Sequence, residues 1–232
     1  MLRVARDRLL LPAVMAALLI LALAYWWLDN GPHEIFGTLM FGLLGWHLTM
    51  NRRWFLKLRS GHYDTRRWVV LVTHIWLGIT ITVLVVTSVL ISRSVLSLAQ
   101  FTNNVSVIEL HWFSAYWVVI IVAVHAGTHW TRVMTVTGNV LRLSPSPIRS
   151  GILRLAALLL LCFGAWSFFV LGVSTKLTFG YSLEFWDFTS RVSPFFAHWT
   201  VVMAGVAVLS HYAMTCLRLL DKTRIRSTEG QT

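Results

Sequence analysis

The chain has 232 residues, of which 56% are hydrophobic and 12% charged, with a mean hydropathy of +0.68 and a formal net charge of +11. Soluble domains carry about 25% charged residues, so this composition excludes an ordinary soluble domain and indicates an integral membrane protein. The two cysteines, Cys162 and Cys216, both fall in apolar stretches, which excludes a disulfide framework and a cysteine zinc site.

Six apolar stretches approach the roughly 20 residues that a helix needs to cross a bilayer. They cover residues 9–28, 33–51, 68–91, 111–130, 151–173 and 198–217. We therefore predict an all-α bundle with six transmembrane helices, built as a single integral membrane domain over residues 1–232. Residues 9–130 supply a core of four helices, and residues 151–217 supply an additional helical hairpin.

The basic residues lie mainly on one side of the predicted bundle. With the N-terminus inside, seventeen of the twenty Lys and Arg residues fall on the inner side, and Arg93, Lys176 and Arg191 on the outer side. The positive-inside rule then places both termini in the cytoplasm, and we predict a multi-pass protein of the bacterial inner membrane. The first stretch is longer than the apolar part of a typical secretory signal, so we expect a retained anchor. Topology and anionic lipid headgroups explain the net charge without a nucleic-acid partner.

Histidines mark the second helix of each predicted hairpin. They occur near both ends of the helix, as His33 and His47, His111 and His125, and His198 and His211. In the first two pairs the spacing is fourteen residues, which brings both imidazoles to one helix face about 21 Å apart. Spans two and four must run parallel. We therefore predict that His33 lies level with His111 near the outer surface and His47 level with His125 near the inner surface.

Two facing imidazoles at each of two depths suit haem iron with two axial histidines. We predict two b-type haems held by four cofactor-binding and iron-ligating residues, His33, His47, His111 and His125. The chain has no C-x-x-C-H motif, so the haems are held by coordination and packing. Gly37, Gly42 and Gly45 in span two, with Gly127 in span four, offer small surfaces on which a porphyrin packs. Alternative ligands are His198, His211, His74 and His129.

Several short blocks of the sequence also carry a family resemblance. "HEIFG", "HLTMNRRWF", "SGHYDTRR", "ELHWFSAYW" and "HAGTHW" resemble the flavinylation-associated cytochrome domain family of membrane cytochromes. The match covers residues 30–131 in ordered blocks and residues 151–217 only loosely. The resemblance implies b-type haem binding at His33, His47, His111 and His125, and electron transfer toward an extracytosolic flavin-carrying protein. Asn51 stands where some members of the family have a histidine.

The predicted function is transmembrane electron transfer by a di-haem cytochrome, an electron-transfer component of an oxidoreductase system without catalytic residues of its own. Electrons pass between a quinol pool or a cytoplasmic-side donor and an extracytosolic, flavin-carrying acceptor. A quinone is left open as a further cofactor. Carboxylates lie beside two of these histidines, Glu34 next to His33 and Glu109 near His111. Three roles stay open for them: acceptors of quinol protons, an acidic docking rim, or ordinary interfacial carboxylates.

Two alternatives remain at this point. The first is a haem subunit similar to ferric-reductase-like membrane domains, or to another superoxide or quinone oxidoreductase system. The second is a non-haem transporter or metal-binding membrane protein. The scarcity of carboxylates within the predicted spans argues against a transporter.

Overall fold

The computed structural model describes residues 2–58, 63–96, 102–180 and 186–229, and all regular secondary structure in these ranges is helical. The helices are α1 (Leu2–Leu23), α2 (Tyr25–Leu28), α3 (Asn30–Met50), α4 (Arg52–Leu56), α5 (Thr65–Ile91), α6 (Val105–Thr128), α7 (Trp130–Val140), α8 (Pro147–Val170), α9 (Val173–Leu177) and α10 (Val192–Glu229). The predicted all-α class is confirmed. Helices α5, α6 and α8 begin where a side chain accepts a hydrogen bond from the first turn, as Asp64 does from the backbone N–H of Arg67.

Four helices in the described ranges are long and apolar enough to cross a membrane: α5, α6, α8 and the Val192–Asp221 part of α10. The chain is therefore a multi-pass membrane protein. Length and composition support four crossings rather than the predicted six, because the apolar part of α1 extends only from Leu9 to Leu23. The 21-residue α3 is long enough, but His33, Glu34 and His47 lower its mean hydropathy. The cytoplasmic location of the termini stays a prediction.

Helix α6 lies at the centre of the bundle. It packs against α5 on one side and α10 on the other, α8 packs on α10, and α1 runs along α3. The apolar core includes Val118 and Val119 of α6, Leu84 of α5, and Trp199 and Val202 of α10. Because α6 contacts both halves of the bundle, side chains on different faces of this one helix reach two separate regions.

The glycines divide into a packed set and an open set. A Cβ atom on Gly127 would lie 2.3 Å from the carbonyl oxygen of Ala207, and one on Gly164 would lie 2.8 Å from that of Val201. These glycines let α6 and α8 approach α10 closely. Gly127 therefore serves helix packing, not the predicted porphyrin surface. By contrast, a Cβ on Gly37, Gly42, Gly45 or Gly78 would meet nothing within 4 Å.

The two ends of α3 contact the two ends of α5. At one end, Asn30 of α3 donates a hydrogen bond to Ser94 Oγ, 2.7 Å away, just after α5. At the other end, Trp54 of α4, which follows α3, stacks on His74 near the start of α5, with ring centroids 4.2 Å apart. The chain directions of α3 and α5 are therefore opposite. We call the end with His33 and His111 the His111 end, and the end with His74 and His125 the His74 end.

Candidate functional site

His33 of α3 and His111 of α6 meet at the His111 end, as predicted from their places in parallel helices. Their ring centroids are 6.0 Å apart and the ring planes are inclined at 74°. The side chain of His111 is buried, and that of His33 is half-buried beneath Tyr25, whose ring packs edge-on at 5.2 Å. The structure therefore brings two imidazoles from different helices together in a largely apolar setting.

Hydrogen bonds to Nδ1 fix which ring nitrogen carries the proton. His33 Nδ1 lies 2.7 Å from the carbonyl oxygen of Ala22, which only accepts, so Nδ1–H is the donor. His111 Nδ1 lies 3.4 Å from the hydroxyls of both Thr87 and Ser88. Those hydroxyls already donate to backbone carbonyls of α5, so His111 Nδ1–H donates to them. In both rings Nε2 keeps its lone pair, the form in which imidazole binds a metal.

The spacing of the two rings suits an iron atom between them. With metal–nitrogen bonds of about 2 Å on both sides, the centroids of two axial imidazoles lie about 6 Å apart. The observed separation is 6.0 Å. Gly37, one turn after His33, leaves room beside the pair because a Cβ there would meet no atom within 4 Å. The residues at the His111 end therefore fit a bis-histidine haem.

A second group of histidines gathers at the His74 end. The ring of His125 lies 4.8 Å from that of His74 and 4.9 Å from that of His129, and the rings of His74 and His129 are 5.7 Å apart. Ligand atoms from these three residues all lie within 4.8 Å of one another. The sequence had placed His74 and His129 only among the alternatives. The structure makes them direct neighbours of His125, and we call these three residues the histidine cluster.

The hydrogen bonds of the histidine cluster leave ring nitrogens for a ligand. His74 Nδ1–H donates to the carbonyl oxygen of Val70 at 2.6 Å, so its Nε2 keeps the lone pair. Nδ1 of His125 is buried without a hydrogen-bond partner in the described part of the chain. Buried polar atoms are nearly always bonded, so this nitrogen is open to a ligand or an ordered water.

His47 lies close to the histidine cluster without joining it. Among the described residues its ring makes no aromatic contact with His125, but it interacts electrostatically with all three cluster residues. Asn51 donates a hydrogen bond from Nδ2 to the carbonyl oxygen of His47 at 2.8 Å. The structure thus brings His47 to the expected end of the bundle, and its pairing with His125 stays a prediction.

Helix α5 contributes to both sites, which the sequence reading missed. Ser88, beside His111, comes fourteen residues after His74, beside His125, so both lie on one face of α5. This is the same spacing as in α3 and α6, in a helix of opposite direction. The spacing of histidines alone does not predict it, because one of the two residues on α5 is a serine, whose hydroxyl holds a ligand in place.

The remaining predicted positions lie elsewhere. His198 of α10 pairs through Nδ1 with the hydroxyl of Ser167 at 2.8 Å, and His211 packs beside Tyr212. Neither makes a ring contact with another histidine in the described ranges, so neither joins the two sites. Glu34 accepts hydrogen bonds from Ser92 Oγ and the backbone N–H of Val95, both at 2.7 Å. It therefore joins α3 to the turn after α5.

Comparison with known proteins gives no relative: no protein-family profile, no characterised protein and no solved structure matches this chain. The resemblance to the flavinylation-associated cytochrome domain family therefore stays a prediction. Of the blocks that carry it, residues 60–62 of "SGHYDTRR" lie outside the described residues. The other blocks contain the His33–His111 pair and two members of the histidine cluster, His125 and His129; they also contain His47, which lies near the cluster, but not His74.

Proposed function

We propose that the protein is a di-haem b-type cytochrome that transfers electrons across a bacterial inner membrane. The observation that carries the proposal is the His33–His111 pair, whose 6.0 Å spacing and hydrogen-bonded Nδ1 atoms suit two axial ligands. The histidine cluster supports a second haem at the His74 end. His111 and His125 both belong to α6, so the two sites lie about 21 Å apart along its axis.

The proposal includes six crossings with both termini in the cytoplasm. Asn30 at the start of α3 bonds to Ser94 just after α5, and Trp54 in the helix after α3 stacks on His74 within α5, which is long and apolar enough to span. Because α3 extends between these two points beside a spanning helix, we include it as a crossing. Helix α1 packs along α3 and completes a sixth crossing. The distribution of basic residues then makes the His74 end cytoplasmic and the His111 end extracytosolic.

The protein's own residues hold and shield the two centres. A haem iron with two axial imidazoles exchanges single electrons between its ferric and ferrous states. The carbonyl of Ala22 and the hydroxyls of Thr87 and Ser88 keep the outer imidazoles in the metal-binding tautomer. At the His74 end, the carbonyl of Val70 does the same for His74. Burial among apolar helices keeps water away from both groups of imidazoles.

Each end of the bundle has its own redox partner in this proposal. Electrons enter from a quinol pool or a cytoplasmic-side donor and leave to an extracytosolic acceptor, which the family resemblance makes a flavin-carrying protein. The chain has no flavin or nicotinamide motif, so it acts as the electron-transfer component of a larger oxidoreductase system.

The test is a reduced-minus-oxidised visible spectrum with a haem count on the purified protein. We expect low-spin b-type bands and about two haems per chain, one for each pair of axial ligands. His111→Ala is expected to lose one haem and His125→Ala the other. His211→Ala is the matched control, because His211 lies outside both sites, and it is expected to retain both haems.

The same measurement identifies the partner of His125. If His47 is the second ligand, His47→Ala loses the inner haem and His74→Ala retains it. If His74 is the ligand, the two results are reversed. Full haem content in His111→Ala and His125→Ala alike would refute the proposed ligands.

A metal-ion site is a second candidate, favoured by one specific observation. The ligand atoms of His74, His125 and His129 lie within 4.8 Å of one another, so three imidazoles converge where a haem iron takes two. Three imidazoles suit copper, iron, nickel or zinc. Stoichiometric metal in a preparation without haem, lost on His125→Ala, would establish this function in place of the first.

A further inference from the structure

A cavity of about 840 Å³ opens at the His111 end, on the side of α6 turned away from His111. It lies among α6, α8 and α10, and its walls include Trp112, Tyr116, Trp166 and Trp199. Trp112 and Tyr116 point about 100° and 140° away from His111 around the axis of α6. The thickness of one helix therefore separates the cavity from the His33–His111 pair.

The walls of the cavity are rich in aromatic side chains, whose flat faces match a flat ring molecule. The indole of Trp199 and the phenol ring of Tyr116 are stacked nearly parallel, at 11° with centroids 5.7 Å apart. The rings of Trp166 and Trp186 approach His198 at 5.1 Å and 5.6 Å. Aromatic and apolar side chains make up most of the lining, with a small set of polar groups among them, as in sites for small, largely apolar molecules. Aromatic walls add stacking and edge contacts to the area that such a molecule buries.

Acidic and basic groups stand at the rim. Glu109, Lys176, Asp187 and Arg191 line the cavity. The hydroxyl of Ser190 and the backbone N–H of Thr189 hold the pKa of Asp187 below its usual range, so this side chain is a carboxylate. Lys176 donates a hydrogen bond to the carbonyl oxygen of Leu171 at 2.8 Å. Asp187 and Arg191 are exposed, whereas Glu109, Lys176 and His198 are half-buried, so the cavity has charged side chains beside its aromatic walls.

His198 differs from the histidines of the two proposed haem sites. His33 and His74 face backbone carbonyls, which hold the proton on Nδ1. Nδ1 of His198 instead faces the hydroxyl of Ser167, a group that both donates and accepts. When the hydroxyl donates, Nε2 carries the proton and donates; when the hydroxyl accepts, Nε2 accepts. Nε2 of His198 can therefore either donate or accept a hydrogen bond.

We propose that this cavity binds the ring of a membrane quinone in both its oxidised and its reduced form. A quinone carbonyl accepts a hydrogen bond and a quinol hydroxyl donates one. His198 satisfies both through its two neutral tautomers, because the Ser167 hydroxyl rotates to donate to Nδ1 in one and to accept from it in the other. The aromatic walls contact the ring faces, and the His33–His111 pair lies one helix away. The inference rests on the proposed function for its role in electron transfer, whereas binding itself is tested independently.

The test is a titration of the purified protein in detergent with ubiquinone-1 and with ubiquinol-1, followed by calorimetry and by quenching of tryptophan fluorescence. The wild-type protein is expected to bind both forms saturably at one site. His198→Ala is expected to raise the Kd for both at least tenfold. His211→Ala, on the same helix and outside the cavity, is expected to leave both values unchanged.

The Ser167→Ala variant tests whether His198 uses both tautomers, because the imidazole itself is kept. Without the hydroxyl, an N–H at Nδ1 would be a buried donor without a partner, so the proton moves to Nε2. A permanent donor at Nε2 suits the quinone carbonyl better than the quinol hydroxyl. We expect Ser167→Ala to raise the Kd for the quinol at least threefold more than that for the quinone, a difference that a purely structural role of Ser167 would not produce.

The outcomes separate this inference from the proposed function. Haem content is measured on the same samples, so failure of haem binding and failure of quinone binding are seen separately. Absence of saturable binding, equal binding by wild type and His198→Ala, or an unchanged quinone-to-quinol ratio in Ser167→Ala would overturn the inference. A phospholipid that stays tightly bound through purification, together with no saturable quinone binding, would assign the cavity to lipid. That result would also overturn the inference.

Discussion

At the residue scale, the bonding of ring nitrogens separates the histidines by role. His33 has a carbonyl at Nδ1 and His111 has the hydroxyls of Thr87 and Ser88, and both arrangements free Nε2 for a metal. The double variant Thr87→Val, Ser88→Ala removes both acceptors from His111. Loss of such supporting groups typically weakens metal sites about 10–100-fold, so we expect the outer haem to transfer faster to added apomyoglobin.

Thr82→Val is the matched control for this double variant. Thr82 lies on the same helix, and its exposed hydroxyl donates to the carbonyl of Gly78, away from His111. Transfer of the outer haem should match the wild type in this control. Equal transfer rates in the double variant and the wild type would show that these hydroxyls do not hold His111.

At the scale of the element, Glu34 joins α3 to the turn that follows α5. Its carboxylate accepts from the hydroxyl of Ser92 and from the backbone N–H groups of Arg93 and Val95, each at 2.7 Å. Glu34→Gln removes the charge and one acceptor oxygen. Hydrogen bonds to charged groups contribute about 1.5–3 kcal/mol, and this group is only half-buried, so we expect a loss of about 1–2 kcal/mol. For a chain of this length that lowers the Tm by about 2–8 °C.

Glu109→Gln controls for loss of a carboxylate at the same end of the bundle. Glu109 makes no hydrogen bond to the described part of the chain, and its replacement should leave the Tm unchanged. Thermal melting followed by circular dichroism measures both variants. Equal melting temperatures for Glu34→Gln and the wild type would rule out the proposed connection between α3 and α5.

The helices also show which parts of the fold and of the candidate sites could be predicted from the sequence. The all-α class and the four most apolar helices were predicted from the sequence, because the length of an apolar run reflects the span it fills, whereas the count of six crossings is not supported by length and composition. The meeting of His33 with His111 also followed from the sequence, since a fourteen-residue spacing fixes the helix face and two hairpin turns fix the direction. The approach of His74 to His125 did not follow, because His74 has no histidine partner on α5. The rotation of α5 is set by packing on α6, which periodicity alone does not determine.

At the scale of the whole molecule, one helix connects three proposed sites. Helix α6 carries His111 and His125 on the side of α3 and α5, and Trp112 and Tyr116 on the side of the cavity. Its interior is fixed by close packing, with Val118 and Val119 fully buried. A rigid central helix keeps the distances between the sites constant, which suits transfer of electrons by fixed centres rather than by a moving carrier.

The arrangement of the whole bundle in the membrane yields the last prediction. If α1 and α3 both cross, the turn between them lies on the same side as the segment that precedes α10, as the contact of Trp27 with Phe196 requires.

In a background with Cys162→Ser and Cys216→Ser, a membrane-impermeant maleimide should label Leu28→Cys and Thr189→Cys in intact spheroplasts. Ser144→Cys, at an exposed position in the basic segment between α7 and α8, should be labelled only after permeabilisation. Labelling of Thr189→Cys without labelling of Leu28→Cys would show that the α1–α3 hairpin does not cross, and would reduce the bundle to the four spans that length and composition support.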